Sequence, residues 1–361
     1  MNPCHEEDGL HRLSLQGFRH LQDDTLDLDP RANVIQGANA AGKTSFLESI
    51  HFLARARSFI THRTARMVAK GAERVLVHGQ IRAARTEHRL GVQYQQGQTR
   101  ARLDGRDVQA LSESAGLLPI QVINTEGQRL LTDGPAGRRA FLNWGVFHVE
   151  HTYRDDWRRY QKALRQRNAA LRAGDRRLVA AWEPDMVAAA EAVDRRRQAF
   201  LETLMPRAMA IALEWLPASQ PGWQFRRGWK ADHPLAEVLA QGREQELAQG
   251  FALYGPQRAD LRLTANGTEA EARLSRGQQK LLVAALRIAL VEQWAARGTY
   301  RPLVLVDDLP AELDAEHRQF LLNSLLASGA QVFLTTIESE QLPGVGSARW
   351  FHVEHGCVRR D

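Results

Sequence analysis

Apolar and polar positions alternate with a period of two through residues 10–35, which predicts two strands with Gly17-Phe18-Arg19 between their apolar flanks. A second β-rich patch occupies residues 73–104. It opens with Val75-Leu76-Val77-His78-Gly79-Gln80-Ile81, continues through Glu87–Tyr94 and Gln98–Leu103, and ends at the turn Asp104-Gly105. Leu117–Ile123 reads as a further buried strand. The pattern changes after about Gly137. From Arg138 to Leu216 it is helical in period and rich in Ala, Arg, Gln, Leu and Glu, with breaks expected at Gly174 and Pro184 and a linker at Pro217–Pro221. Strand-like segments return from about Phe251; Leu303-Val304-Leu305-Val306 is the clearest, and Gln331–Thr336 is another. The predicted organisation is an α/β lobe, residues 1–137 and 251–361, interrupted by a helical second lobe over residues 138–250.

Composition narrows the class. A chain of 361 residues, 43% hydrophobic and 25% charged, can bury a large core in one domain or two lobes. The opening MNPCHEEDGL lacks the basic-then-apolar order of a secretory signal, and the longest apolar run, Leu281–Val291, is broken by Arg287 and too short to span a bilayer. Cys4 and Cys357 offer neither a disulfide framework nor metal-ligand spacing. These features fit a reducing cytoplasm and no membrane partner. A formal net charge of +6 permits a nucleic-acid partner. The clusters Arg158-Arg159 and Arg195-Arg196-Arg197 are candidate DNA-phosphate contacts, or a solvated helix face balanced by neighbours such as Glu191 and Asp194. His-Val-Glu-His occurs at His148–His151 and again at His352–His355. The second copy lies in an expected strand, where positions three apart face opposite sides, so packed or solvated histidines are expected rather than zinc ligands.

The chemistry concentrates in three places. Gly37-Ala38-Asn39-Ala40-Ala41-Gly42-Lys43-Thr44 spells G-x-x-x-x-G-K-[ST] between an apolar segment ending Asn33-Val34-Ile35 and a helix-like run, Ser45–Ile50. A strand, a glycine-rich turn and a helix N-terminus in that order aim several backbone N–H groups at one point, where the helix dipole adds positive potential. Lys43 is expected to reach the β- and γ-phosphates of ATP or GTP, and the Thr44 hydroxyl to ligate Mg2+. Leu303–Asp308 is an apolar strand ending in two carboxylates. Asp307 is the expected metal-side carboxylate, and Asp308 is placed to orient or deprotonate an attacking water. Ser275-Arg276-Gly277-Gln278 begins a long apolar helix and presents a hydroxyl, a small residue and bare N–H groups to an anion. The same residues equally suit an ordinary helix cap.

Set 32 residues before Asp307, Ser275–Gln278 resembles the signature motif of the ABC ATPase superfamily, and Ala311-Glu312-Leu313-Asp314 resembles its D-loop. In such heads one protomer's signature serine completes the other protomer's site. The resemblance therefore implies a homodimer holding ATP and Mg2+ between subunits, with Ser275, Gly277 and Gln278 facing the partner's nucleotide. Transporter ATPase subunits carry a much shorter interval between the positions of Lys43 and Ser275. SMC-like tethers fill it with hundreds of residues of coiled coil; here the insertion is about a hundred residues without a sustained heptad.

That intermediate spacing resembles the RecF family, the bacterial recombination mediators, and local sequence agrees along nearly the whole chain. The matching stretches are Asn33–Thr44, Arg55–Phe59 with Thr61–Thr64, Pro119–Val122 with Thr125–Gly127, Arg138–Gly145, Gly255–Leu261, Leu274–Lys280 and Asp307–Asp314. The resemblance implies an ABC-type ATPase head, a P-loop α/β lobe with a β-rich patch, plus a helical second lobe and no long coiled coil. It also implies binding of duplex or gap-junction DNA with slow ATP hydrolysis, by a cytoplasmic, nucleoid-associated protein. Cooperation with RecR and RecO to load RecA at single-strand gaps follows from it, with roles in DNA repair, replication-fork recovery and SOS induction. An SMC-like tether or a transporter-type ATPase subunit is the alternative. Three positions depart from related patterns: Gln257 replaces a common His, Asp308 stands where transporters use Glu, and Thr335-Thr336 falls at the transporter switch histidine. A threonine there can hydrogen-bond a γ-phosphate but cannot carry a proton.

Overall fold

The computed structural model describes residues 7–83, 85–108, 116–150, 152–297, 300–308, 313–342 and 344–361. In chain order the elements are strands β1 (Gly9–Gln16), β2 (Asp24–Asp27) and β3 (Ala32–Gln36), helix α1 (Lys43–Arg55), then β4 (Arg74–Ala83), β5 (Thr86–Gln95), β6 (Gln98–Leu103), β7 (Arg106–Asp107) and β8 (Ile120–Asn124). Helices α2 (Pro135–Val149), α3 (Tyr153–Ala173) and α4 (Arg176–Trp215) follow, then β9 (Pro221–Arg226), α5 (Leu235–Gln249), β10 (Asp260–Ala265) and β11 (Thr268–Glu269). The chain closes with α6 (Arg276–Arg297), β12 (Leu303–Asp307), α7 (Ala315–Ala327), β13 (Gln331–Thr336), β14 (Arg349–Glu354) and β15 (Cys357–Arg360).

Two compact units result, one from residues 1–127 with 287–361, the other from residues 128–286. In the first, a six-stranded sheet runs in the order β15-β14-β3-β13-β12-β8, with β14, β3, β13, β12 and β8 mutually parallel. β12 is apolar up to Asp307 and β13 is buried along all six residues, as strands covered on both faces are. A second sheet, β2-β1-β4-β5-β6-β7, is antiparallel and two-faced: Val75, Val77, Gly79 and Ile81 are buried while Leu76, His78 and Gln80 between them are only partly so. α1 packs against strands of both sheets, so eleven of its residues are buried, the polar Glu48, Ser49 and His51 among them. Residues 10–35 hold three strands rather than two, because β2, Asp-Thr-Leu-Asp, has a single apolar residue and leaves no periodic signal.

The other unit is mainly helical. α3 ends at Gly174, the expected break, in left-handed conformation, and α4 returns against it. The break expected at Pro184 is absent: α4 runs 40 residues through Pro184 and Pro206. Each proline forfeits one helical hydrogen bond, but Met186, Ala189, Val193, Phe200, Leu204 and Ile211 form a continuous buried stripe that holds the helix together. Pro217–Pro221 is a short 3-10 turn that leads directly into β9, a strand absent from the sequence expectation. β9 pairs with β10, and Arg138 forms a bidentate pair with Asp260 at 2.8 and 3.1 Å. These contacts draw residues 251–286 into the helical unit, so its bounds are 128 and 286 rather than 138 and 250.

One buried ionic cluster holds three helices of this unit. Arg167 of α3, fully buried, meets Glu183 of α4 at 2.9 Å and the equally buried Glu246 of α5 at 2.6 Å. Arg243 closes on Glu183 at 2.6 Å, and Glu246 also accepts the Leu253 N–H. Removing one partner of a buried pair strands the other charge, at a cost of about 3–5 kcal/mol. Arg167→Leu is therefore expected to lower stability by that order, read as a shift of the urea unfolding midpoint; an unchanged midpoint would show that Glu246 finds solvent.

Candidate nucleotide-binding site

The P-loop spans the gap between β3 and α1. Gly42 is the N-cap of α1 with φ of 127°, and a Cβ there would lie 2.8 Å from Leu21 Cδ2; at Gly37 a Cβ would lie 2.4 Å from the Val353 carbonyl oxygen. Only glycine satisfies both. Ala38, Asn39 and Ala40 are exposed at the tip, and the loop is tied down at both ends: Gly37 N–H donates to the Thr336 carbonyl and Gly356 N–H to the Ala41 carbonyl. The Lys43 ammonium, 4% exposed, donates to the Gly37 and Ala38 carbonyls at 3.0 and 3.2 Å. It thus folds back over the concavity whose N–H groups suit an anion.

β3 and β12 are not neighbours; β13 lies between them. This order places Thr335, at the end of β13, between the loop and the acidic pair at the end of β12. Thr44 Oγ1 donates to Asp307 Oδ1 at 3.0 Å. The Thr335 hydroxyl, 1% exposed, stands 3.1 Å from Asp307 Oδ1 and 3.1 Å from Asp308 Oδ1, and accepts the Asp308 N–H at 2.8 Å. Its single proton serves one carboxylate at a time. Without nucleotide, Thr335 joins the two acids and Thr336 Oγ1 donates to the Glu338 carbonyl. Asp308 has φ of 51°, the left-handed region, which turns its carboxylate out of the strand direction.

Burial, and next the neighbouring Asp308 charge, push the Asp307 carboxyl up to about 6, against the opposing hydrogen bonds from Thr44 and Thr335 and the charge of Lys43. A carboxylate held above its ordinary range beside a hydroxyl and a second carboxylate is a site short of positive charge. The donor set, two carboxylate groups and a threonine hydroxyl, is of the oxygen type that Mg2+ takes, so the residues fit the ion.

The signature segment belongs to the other unit. Ser275 and Gln278 form a reciprocal capping box at the start of α6: Ser275 N–H donates to Gln278 Oε1 at 3.0 Å, and Gln278 N–H to Ser275 Oγ at 3.3 Å. Ser275, Gly277 and Gln278 are all exposed. The cap reading of these residues thus holds, and it leaves the anion reading open to a ligand from outside the chain. Of the D-loop, Ala311 and Glu312 lie outside the described residues; Asp314 caps α7 through the His317 N–H at 2.9 Å.

Other candidates are absorbed by packing. Arg197 is fully buried and bonds Tyr153, Asn143 and the Pro256 carbonyl. Arg196 pairs with Asp156 and Glu150, and the exposed Arg159 with Asp185, which leaves Arg158 and Arg195 as the exposed members of the two clusters outside these pairs. Gln257 accepts from Tyr160 and donates to the Tyr254 carbonyl, so its amide serves the interior of the helical unit. His148 packs edge-on against Trp144; His352 and His355 are exposed; and no described group of three ligand-type residues could hold a metal. No helix among the described residues is long and apolar enough to cross a membrane.

A P-loop at the end of a central parallel strand, a helix sandwiched by a second antiparallel sheet, and an acid pair two strands away define the class: an ABC-type ATPase head of the SMC-like kind. The fold matches a solved structure described as the recombination mediator protein RecF-ATP in the RecFOR pathway, with a TM-score of 0.87 at 22% identity over 98% of this chain and 97% of that one. An Smc head bound to the C-terminal winged-helix domain of ScpA matches at a TM-score of 0.60 and 14% identity, covering 98% and 97%. The model of the RecF/RecN/SMC N terminal domain matches residues 9–357. Relatives called DNA replication and repair protein RecF are 40% identical in Thioalkalivibrio sulfidiphilus, over 97% of this chain and 99% of the relative, and 44% identical in Stutzerimonas stutzeri, over 97% and 96%. The chain belongs to the RecF family.

The raised Asp307 carboxyl gives a signed prediction. In the range from the ordinary carboxylate value to about 6 the folded state holds a proton that the unfolded chain releases, so stability falls as pH rises through that window. Without nucleotide and in EDTA, Asp307→Asn is expected to flatten this dependence and to raise stability at pH 7–8 by on the order of 1–3 kcal/mol. The same variant is expected to lose Mg2+-dependent nucleotide affinity. Thermal unfolding across pH checks the first outcome and nucleotide titration the second.

Proposed function

We propose that this protein is an ATP-dependent DNA-binding protein of recombinational repair and replication-fork recovery, with ATP turnover acting as a switch. The observation that carries the reading is the side-chain relay Thr44–Asp307–Thr335–Asp308 beside an intact P-loop. Gly37 to Thr44 hold the phosphates of ATP, and Lys43 leaves the Gly37 and Ala38 carbonyls for the β- and γ-phosphates. Thr44 and Asp307 hold Mg2+, which when bound neutralises phosphate charge at the transferred group. Asp308 orients the attacking water and accepts its proton. Its carboxylate is shared with Thr335 and is one methylene shorter than Glu, which favours slow turnover.

Ser275, Gly277 and Gln278, exposed at the positive end of a 22-residue helix, receive the γ-phosphate bound by a second protomer, so ATP binding and homodimerisation are one linked equilibrium. The relatives' repair and replication names and the net charge of +6 support DNA as the partner, with the exposed Arg158 and Arg195 available to phosphates. Assistance to RecR and RecO in loading RecA at single-strand gaps, with SOS induction downstream, completes the reading. An SMC-like tether is disfavoured, since the α3–α4 hairpin turns back at Gly174 after a 21-residue helix.

Dimerisation is expected to require ATP and Mg2+, and Ser275→Arg to abolish it while the monomer still binds ATP. Sedimentation checks this; a dimer without ATP, or an undiminished Ser275→Arg dimer, contradicts the shared site.

Asp308→Asn keeps the size of the side chain but cannot accept a proton, so hydrolysis is expected to fall by roughly a hundredfold or more while ATP affinity survives. The trapped dimer is expected to leave gapped or duplex DNA more slowly than wild type at matched salt. Equal dissociation time courses would show that turnover does not time DNA release.

A further inference from the structure

β9 is the outer strand of the β11-β10-β9 sheet, and its unpaired edge lines a groove of about 1060 Å3 facing Gln198, Leu201 and Glu202 of α4. Trp223 and Phe225 sit opposite Leu263 and Leu261 of β10, so they occupy the inward-facing register. Leu263 and Leu261 are 4% and 1% exposed, yet Trp223 is 36% exposed. The sheet stops one strand short of covering its own apolar face. An edge of this kind presents free N–H and C=O groups as a template for another strand.

The surroundings select the strand. Arg226, Lys230 and Arg258 are exposed along the groove, and none has an ion pair among the described residues; Glu202 is the one acidic side chain described in its lining. Arg227 is committed elsewhere, paired to the buried Asp194 at 2.8 Å and stacked 4.0 Å over Trp229. The turn beyond is fixed by Gly228, where φ is 99° and a Cβ would lie 2.2 Å from the Gly255 carbonyl oxygen. A second copy of this chain would bring the same cations face to face. A nucleic-acid strand would use the cations and the Trp223 ring but leave the open backbone edge unanswered.

We propose that the groove docks an extended acidic segment of a partner protein, which adds to the edge of β9. Its alternate apolar residues cover Trp223 and Phe225, and the intervening carboxylates meet Arg226, with Lys230 and Arg258 at the rim.

The test uses the full chain and a fluorescent peptide of alternating Asp and Val, the length of β9. Its controls are a Lys/Val counterpart, the Asp/Val peptide N-methylated at alternate residues, and oligothymidine. The Asp/Val peptide is expected to bind, to protect amides of Pro221–Arg226 from hydrogen exchange, and to lose at least about tenfold in affinity with Trp223→Ser and with Arg226→Glu. Arg226→Glu is expected to retain the wild-type unfolding midpoint, because that side chain is exposed and has no ion pair among the described residues, and it is the variant that separates docking from folding. Equal binding of the N-methylated or Lys/Val peptide, displacement by oligothymidine, self-association of the chain lost in Trp223→Ser, or no protection of β9 would each overturn the proposal.

Discussion

Helix α1 has no solvent face. Strands of two different sheets pack against it, and this fixes both its axis and its N-terminus. Its buried polar groups then need partners from the surrounding loops. Glu48, fully buried, is met by Arg19 and Ser58, and His51 by the Arg57 carbonyl at 2.8 Å. A polar group left unmatched at that depth would cost roughly 1–3 kcal/mol, so these bonds lock the loops around the helix as firmly as the helix itself. The P-loop inherits its rigidity from this arrangement, since it is the only route from β3 into a helix that cannot rotate.

Strand order does the rest. Because β13 is threaded between β3 and β12, its Thr335 reaches both members of the acid pair, while Thr44 of the P-loop bonds Asp307 directly. The arrangement keeps two carboxylates close to one another in a partly buried place, which is electrostatically unfavourable until a cation arrives. The strain and the function share one origin: in the absence of a cation the charge of the pair is offset by hydrogen bonds from Thr44 and Thr335 and by the Lys43 ammonium.

The helical unit shows how polar residues singled out in the sequence, the candidate DNA contact Arg197 among them, become internal structure. Arg138 joins Asp260, Arg197 reaches the Pro256 carbonyl, and Gln257 receives the Tyr160 hydroxyl. The family-like stretches Arg138–Gly145 and Gly255–Leu261 are therefore two sides of one buried polar seam. The same unit leaves β9 uncovered at its edge, which is where its basic and aromatic side chains gather.

Local pattern determined a good deal of this. The G-x-x-x-x-G-K-T stretch requires a tight glycine turn into a helix whatever lies around it, and a run such as Leu303–Val306 has no stable place except a covered parallel strand. The turn at Gly174 was equally legible, because a left-handed helix cap is a property of the residue itself. Tertiary structure decided what depends on long-range partners. Pro184 was overruled by a buried stripe spread along a 40-residue helix; β2 and β9 exist because β1 and β10 pair with them; and residues 251–286 joined the helical unit through contacts with residues more than a hundred positions away, such as Arg138. Thr335 gained its place between the two acids from strand order, and Arg197 was removed from the surface by the fold. Each of these outcomes turns on which side chains meet across the chain, and periodicity within a segment carries no information about that.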